Sequence, residues 1–188
     1  MPEPSSDPPK APRFYFEPLG SKHDRGGFSC GVAALDNYLR KQARQDIRKQ
    51  VSATFVLTHD GKTIAGYYTL SQYSVRLEDV PQEIARRLPK YPEVPATLIG
   101  RLAVSSTRRG QGLGEFLLMD ALRRCLEISS EIAAAAIIVD AKDDVAKGFY
   151  KKYGFIELPT IPTRLFLPMA TVRQFFSLED AATKAANG

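Results

Sequence analysis

The residues of this chain best suited to bind a ligand lie in a glycine-rich turn between an apolar segment and a helix-like segment. Residues 98–114 read LIGRLAVSSTRRGQGLG; Arg109, Gly112 and Gly114 fit the pattern Q/R-x-x-G-x-G/A, with Gly110 inside it. Glycine lets the backbone approach a ligand closely and adopt conformations that a Cβ would penalise. The helix predicted to follow offers unpaired amide N–H groups and the positive end of its dipole. The turn is therefore predicted to bind an anion such as a pyrophosphate.

Three other interpretations of this turn compete. A tight strand-to-helix turn, packed closely for its own sake, would also need glycines. A dinucleotide fingerprint, G-x-G-x-x-G, would use Gly110 and Gly112, but Glu115 is not small and does not complete it. The phosphate-loop pattern G-x-x-x-x-G-K-[ST] is absent from the sequence. The interpretation that remains for a nucleotide-type ligand is an acyl-CoA loop.

Strand and helix signals alternate around the turn. The order β, α, β, β, short α, β, α, β, α, β predicts an α/β fold with a mixed sheet and helices on both faces. The predicted strands cover residues 14–18, 52–59, 63–75, 97–104, 133–141 and 164–170. The predicted helices cover residues 30–50, 81–91, 112–128 and 144–155. Residues 1–13 are predicted to be a disordered Pro-rich tail, 14–170 one domain, and 171–188 a C-terminal helix or tail.

Size and composition suit one globular domain. The 188 residues are 44% apolar, which allows a full core. No apolar run approaches a transmembrane helix, and the N-terminus lacks an apolar signal segment. Cys30 and Cys125 match no metal spacing and predict buried thiols in a reducing cytoplasm, and His23 and His59 alone offer little for a metal site. The net charge of +5 favours a polyanionic partner such as nucleic acid, CoA or an acidic protein.

Over residues 14–170 the chain resembles the GNAT N-acetyltransferases. More narrowly, it resembles the GNAT toxins of bacterial toxin–antitoxin modules, which acetylate the α-amine of aminoacyl-tRNA. The narrower resemblance rests on FSCGVAALDNYLRKQA, IAGYYTLS, LIGRLAVSSTRRGQGLG, and AKGFYKKYGF followed by TRLFLPM. It implies a GNAT fold, in which a mixed, mostly antiparallel central sheet has helices on both faces, and acetyl-CoA as the cofactor.

The resemblance also implies how the turn binds acetyl-CoA. Backbone amides of Leu102 and Val104 would meet the pantetheine, and residues 109–114 would wrap the pyrophosphate. From physics alone the amides of residues 110–112 and 114 are the best phosphate donors, and Arg108 and Arg109 would add positive charge. The implied cofactor-binding set is Leu102, Ala103, Val104, Arg109, Gly110, Gln111, Gly112, Leu113 and Gly114.

Tyr150 matches the tyrosine that this family uses as general acid. After an amine attacks the thioester, CoA leaves more easily if its sulfur is protonated, and a tyrosine of pKa about 10 can donate that proton. Helical spacing predicts that Phe149 and Tyr153 face other parts of the surface, so Tyr153 is expected to be structural. The alternative for Tyr150 is a core aromatic.

No general base stands out in the sequence. Glu93, Asp140 and Asp143 are candidates, but none lies in a diagnostic motif. A lysine side chain has a pKa of about 10.4, whereas an α-amine has one of about 7.7–8.0 and can lose its proton to water. An aminoacyl ester lowers the amine pKa further because the ester withdraws electrons. The missing base therefore favours an α-amine acceptor.

Basic residues cluster where a tRNA could bind. Clustered Arg and Lys are the expected footprint of phosphate binding, although a solvated helix face would look the same. Tyr67, Tyr68 and Tyr73 could stack on a terminal base or line the acyl pocket, and alternation predicts that Tyr67 and Tyr68 face opposite sides, with one in the core. The predicted tRNA-binding residues are Arg40, Lys41, Arg44 and Arg48 in the first helix, and Arg86, Arg87 and Lys90 around the short helix.

These observations predict an aminoacyl-tRNA N-acetyltransferase toxin. The resemblance also implies a homodimer and a small ribbon-helix-helix antitoxin that neutralises the toxin. Two alternatives remain at this stage. The first is a GNAT acetyltransferase acting on a small amine or a protein amine, which an acidic acceptor pocket would favour. The second is a non-catalytic module that binds CoA or nucleic acid.

Overall fold

The computed structural model describes residues 13–186, and side chains as far as residue 178, as seven strands in one sheet with helices on both faces. The strand order is β1-β2-β3-β4-β5-β7-β6, and every neighbouring pair is antiparallel except β4 and β5, which run parallel. This is the mixed, mostly antiparallel sheet that the resemblance to the GNAT N-acetyltransferases implies. The strands are β1 (Tyr15–Pro18), β2 (Ala53–Thr58), β3 (Gly66–Arg76), β4 (Glu93–Val104), β5 (Ala136–Asp140), β6 (Ile156–Leu158) and β7 (Ile161–Pro168).

Six α-helices connect or follow these strands. A π-helical turn, Tyr38–Gln42, separates α1 from α2, and the Ala43 N–H donates to the Tyr38 carbonyl five residues back. Single 3₁₀ turns cover Leu77–Asp79 and Ser106–Arg108. The α-helices are α1 (Ala33–Asn37), α2 (Ala43–Arg48), α3 (Gln82–Ala85), α4 (Leu113–Ile128), α5 (Asp144–Lys152) and α6 (Met169–Ala186).

The two faces of the sheet carry different helices. On β3, alternate side chains point to opposite faces, so Tyr68 and Leu70 lie on one side, and Tyr67 and Val75 on the other. Helices α4, α5 and α6 pack against the Tyr68 side. The segment from α1 to α2 packs against Tyr67, and α3 packs near Val75, both on the opposite side. We call these the α4 face and the α1 face.

Four local features differ from those predicted. The helix predicted over residues 30–50 is interrupted by the π-helical turn, and the helix predicted over residues 81–91 is only α3. Strand β6 was not predicted. Tyr67 and Tyr68 do face opposite sides, but both are fully buried because helices cover both faces, so neither lies free to stack on a base.

The structure describes the two predicted end segments of the chain only in part. The tail predicted over residues 1–13 falls almost wholly on residues 1–12, which lie outside the described residues. Beyond residue 170 the chain continues as α6, which packs Val172 and Phe176 into the core on the α4 face. Among the helices described, none is long and apolar enough to cross a membrane.

Candidate active site

A gap opens in the sheet where β4 and β5 separate. The two strands pair only from Ala96 to Ile99 on β4, opposite residues 136–139 of β5. Beyond Ile99, β4 continues to Val104 paired with β3 alone, and its register with β3 shifts at Gly100, which is the extra residue of a β-bulge. The β5-facing edge of residues 100–104 is thus free of strand pairing. This leaves room for an extended ligand beside β4.

Beyond the gap, the glycine turn presents a continuous run of free amides. Within the described residues, none of the backbone N–H groups of residues 109–115 donates a hydrogen bond to a protein acceptor, and the first bond of α4 runs from Phe116 N–H to the Gly112 carbonyl. Gly110 and Gly112 have φ values of 75° and 73°, a region that a side chain would strain. No atom lies within 4 Å of where a Cβ would stand on either residue. The turn is a concave cradle suited to an anion.

The cradle opens into a cavity of about 510 Å³ between α4 and α5. Of the predicted cofactor-binding residues, seven line this cavity: Leu102, Val104, Arg109, Gly110, Gly112, Leu113 and Gly114. Gln111 is exposed beside it, and the Ala103 side chain packs on the α1 face with Tyr67. A Cβ at Gly114 would make only ordinary contacts, 3.9 Å from Phe149 and Val104, which agrees with the G/A choice at that position of the pattern.

Tyr150 lies in the same cavity, on α5. Its ring packs against Phe149 and Phe155, with centroids 5.3 and 5.5 Å away. Its hydroxyl makes no hydrogen bond to any described residue. Burial, and then the negative charge of Asp140, raises the pKa of Tyr150, so the phenol stays protonated at neutral pH. A protonated hydroxyl free of protein partners can donate to a ligand atom in the cavity.

The remaining wall of the cavity comes from α5 and the two residues before it. Of these residues, the sequence predicted only Tyr150 as part of the site. Phe149 was expected to face elsewhere, but it lines the cavity, whereas Tyr153 does not. The spacing i, i+1, i+4 and i+5 marks one helix face and could have identified this group. The additional lining residues are Lys142, Asp143, Val145, Ala146 and Phe149.

Arg109 makes a contact that sequence spacing could not show. Its guanidinium donates to the Cys30 carbonyl at 2.5 Å. The Ser106 N–H and hydroxyl both donate to the Ser29 carbonyl, at 2.8 and 3.1 Å. Residues 28–31, which we call the bridging loop, therefore connect the glycine turn to α1. Arg109 braces this loop while it also lines the cavity.

The bridging loop is fixed from its other side by two residues of the first helical segment. The Asp36 carboxylate accepts hydrogen bonds from the Cys30 N–H and the Ser29 hydroxyl, at 2.8 and 2.9 Å. Burial opposes ionisation of Asp36, but its hydrogen bonds with Cys30 and Ser29, together with the positive charge of Arg40, outweigh it and lower the pKa of the carboxyl. Arg40 donates to the Phe28 carbonyl at 2.6 Å. Arg40, predicted to bind tRNA, thus has a structural contact as well.

The three candidate bases are each engaged elsewhere. Glu93 accepts from the Ser74 hydroxyl at 2.8 Å, at the start of β4 and away from the gap. Asp143 caps α5 by accepting from the Ala146 N–H at 2.7 Å, and the hydrogen bond from Lys142 lowers its pKa further. Asp140 accepts two hydrogen bonds from Arg164, at 2.6 and 3.0 Å. No carboxylate is thus free beside Tyr150 in the described part of the chain.

The predicted tRNA-binding residues all belong to segments on the α1 face, on both sides of the gap. Lys41, Arg44 and Arg48 are exposed around α2. Arg86, Arg87 and Lys90 are exposed beside α3. The cofactor cavity opens on the α4 face instead. The arrangement puts the positive surface across the sheet from the cavity.

The described residues hold no group of three or more His, Cys, Asp or Glu side chains that could bind a metal ion.

Comparison with known proteins agrees with this geometry. Residues 27–164 match the model of the Acetyltransferase (GNAT) domain family. A tRNA-acetylating toxin of Mycobacterium tuberculosis is 39% identical over 155 residues, which cover 82% of this chain and 92% of the toxin. A probable toxin TacT of Sinorhizobium fredii is 33% identical over 172 residues, which cover 87% of this chain and 95% of that protein.

Two solved structures show the same fold. AtaT complexed with acetyl-methionyl-tRNAfMet superposes with a TM-score of 0.81 at 26% identity, covering 87% of this chain and 99% of AtaT. A tyrosine-to-phenylalanine mutant of AtaT bound to the C-terminus of the antitoxin AtaR gives a TM-score of 0.75 at 25% identity, covering 87% and 98% of the two chains. Fold, glycine turn and family match agree: the chain belongs to the GNAT family of acetyl-CoA-dependent N-acetyltransferases.

Proposed function

We propose that this acetyltransferase transfers the acetyl group of acetyl-CoA to the α-amine of aminoacyl-tRNA and acts as a toxin that blocks translation. The observation that carries the proposal is one cavity that joins the free amides of residues 109–115 to the Tyr150 hydroxyl. Similarity to a tRNA-acetylating toxin, and to AtaT solved with acetyl-methionyl-tRNAfMet, supports the choice of acceptor.

The cavity fits acetyl-CoA. Free amides at a helix N-terminus suit a pyrophosphate, and the unpaired edge of β4 at residues 100–104 suits an extended pantetheine arm with its own amides. When bound, acetyl-CoA supplies an activated thioester whose acetyl group an amine can accept. The residues that would hold it are Leu102, Ala103, Val104, Arg109, Gly110, Gln111, Gly112, Leu113 and Gly114, with charge from Arg108.

Tyr150 acts as the general acid in this proposal. Its raised pKa keeps the proton on the phenol until the sulfur departs with the electron pair of the C–S bond. The tyrosine then protonates that sulfur and prevents the thiolate from attacking back. No protein base is assigned, since the candidate carboxylates are engaged.

The two basic clusters bind the tRNA in this proposal. Phosphate contacts supply most of the affinity of a protein for nucleic acid and hold it in register. The clusters lie on the α1 face, on both sides of the gap. There they would hold the acceptor stem so that its aminoacylated end reaches the gap from the side opposite the cofactor. The residues assigned are Arg40, Lys41, Arg44, Arg48, Arg86, Arg87 and Lys90.

Transfer of radiolabelled acetyl from acetyl-CoA tests the proposal. The acceptors are bulk aminoacylated tRNA and the same tRNA after deacylation. Label is expected on charged tRNA only. Tyr150→Phe should lower the rate about 10²- to 10⁴-fold, the range for loss of a general acid. Tyr153→Phe, at the residue that follows α5 and outside the cavity, is the matched control and should stay near wild type. Absence of label on charged tRNA, with acetyl-CoA still bound, would move the search to small amines and proteins.

The proposal extends to partners and location. We assign the chain a ribbon-helix-helix antitoxin, a homodimeric state and a cytoplasmic location, where charged tRNA is found. Similarity to AtaT, solved with the C-terminus of the antitoxin AtaR, supports an antitoxin partner. Co-purification with the product of a neighbouring gene, and light scattering of the purified chain, test the antitoxin and the dimer separately.

A further inference from the structure

A cluster of three side chains lies on the α1 face at the mouth of the β4–β5 gap. Arg164 on β7 donates to both oxygens of Asp140 on β5, at 2.6 and 3.0 Å. The same guanidinium donates to the Tyr73 hydroxyl and lies 5.0 Å from the centroid of that ring. We call Tyr73, Asp140 and Arg164 the acceptor-side cluster. Cofactor binding, as described above, uses none of them.

The cluster lies where an acceptor amine must arrive. Asp140 is the last residue of β5, one position beyond Val139, where pairing with β4 stops. Its charge reaches through the gap to the cavity, since it adds to burial in raising the pKa of Tyr150. Tyr73 belongs to the β3 residues that face the α1 side, as Tyr67 and Val75 do.

The charges around this point balance. Asp140 is paired with Arg164. Asp79, whose pKa the charge of Arg164 also lowers, and Glu78 are both paired with Arg76. Arg101 lies on β4 beside the gap and stacks its guanidinium 3.5 Å from the centroid of the Tyr38 ring. Within the described residues Arg101 forms no ion pair. Because Arg164 neutralises Asp140, no uncompensated carboxylate at this point stabilises a protonated amine.

We propose that the Arg164–Asp140 pair is a positioning device on the acceptor side, in which Arg164 neutralises Asp140 so that the acceptor amine reacts in its neutral form without a protein base. The identity of the acceptor, an aminoacyl α-amine, rests on the proposed function. Such an amine has a pKa at or below about 7.7–8.0, so a large fraction of it is neutral at physiological pH where no net negative charge stabilises the ammonium.

The step balances without a further reactant. The ammonium loses one proton to water, and its lone pair then forms the N–C bond to the acetyl carbonyl carbon. The C–S bond breaks and its electron pair stays on sulfur, which takes the proton of Tyr150. The second amine proton leaves through water, and Tyr150 regains a proton from water. Asp140 neither accepts nor donates a proton in this sequence.

Single-turnover rates of acetyl transfer across pH, with enzyme in excess and acceptor bound, test the proposal. Asp140→Asn leaves Arg164 uncompensated and should move the low-pH limb of the profile, where the rate rises as the amine loses its proton, to lower pH. Arg164→Gln leaves Asp140 uncompensated and should move it to higher pH. Each shift is expected to be about half a unit to one unit, for one unit charge several ångströms away at partial exposure.

Two control variants keep the result interpretable. Glu127→Gln removes a carboxylate at the exposed end of α4, on the other face, and should leave the limb in place. Arg164→Lys keeps the charge without the two-pronged contact and should keep the wild-type limb even if the rate falls. Acetyl-CoA affinity of each variant, measured by calorimetry, shows that the fold and the cofactor cavity are retained.

Two results would overturn the inference. A loss of 100-fold or more in Asp140→Asn with a flat pH profile would make Asp140 the general base, by the usual size of that contribution. Unchanged limbs in both Asp140→Asn and Arg164→Gln would show that the pair does not face the acceptor. If wild-type enzyme does not acetylate charged tRNA, the proposed function fails, and the same series on whichever amine it does acetylate still tests the pair.

Discussion

Replacing Gly112 by alanine separates backbone strain from ligand binding. Gly112 has a φ of 73° and no atom within 4 Å of its Cβ position. The new methyl group therefore meets no protein atom, and its cost to folding is the strain of a left-handed conformation, about 1–2 kcal/mol. Gly112 lines the cavity, so the added methyl group stands next to the free amides of the cradle. Loss of one hydrogen bond to a charged phosphate there costs about 1.5–3 kcal/mol, or about 10- to 150-fold in affinity.

Gly154 supplies the matched control for this experiment. Its φ is 84°, and the nearest atom to its Cβ position, on Leu167, is at an ordinary 3.6 Å. It lies after α5 and does not line the cavity. Urea unfolding without ligand should show similar losses for Gly112→Ala and Gly154→Ala. Calorimetric titration with acetyl-CoA should show weaker binding for Gly112→Ala only. Equal affinities for the two variants would refute the placement of the pyrophosphate at Gly112.

Two further perturbations test the basic surface around α2 and the bridging loop. The double variant Arg44→Glu/Arg48→Glu should weaken the binding of charged tRNA and make it less dependent on salt, because fewer counterions are released, while acetyl-CoA affinity stays unchanged. Filter binding at several salt concentrations measures this dependence. A slope equal to that of wild type would show that α2 does not contact the tRNA. The lowered pKa of Asp36 means that its stabilising effect is present above the unfolded-state pKa of about 3.9 and is lost as pH falls further. Asp36→Asn should therefore show a smaller drop in thermal midpoint on acidification than wild type; an identical drop would show that the carboxylate does not hold the bridging loop.

The parts of the fold that could be predicted are those with long, regular patterns. The segment around α4 has apolar residues at helical spacing and glycines at its start, and the structure begins this helix one residue after the predicted position, at Leu113. The apolar run at residues 133–141 predicted β5, and the helix predicted over residues 144–155 begins where α5 does, at Asp144. In each case the local pattern and the tertiary packing demand the same structure.

The missed features depend on tertiary context. Strand β6 has three residues, too few for alternation to show. Alternation assigned only one of Tyr67 and Tyr68 to the core because it describes a sheet with one wet face, whereas helices cover both faces of β3 here. The contact between Arg109 and Cys30 joins positions 79 residues apart. No local pattern in the sequence reports such a distance.

The bridging loop connects the two proposed substrate sites through one piece of backbone. It is bound to the glycine turn through Arg109 and Ser106, and to the first helical segment through Asp36 and Arg40. If one ligand moves this loop and so changes the binding free energy of the other ligand, its own binding free energy is changed by the same amount, because binding linkage is reciprocal. Whatever acetyl-CoA does to the affinity for the acceptor, the acceptor must do in equal measure to the affinity for acetyl-CoA, although the two need not touch a single side chain in common.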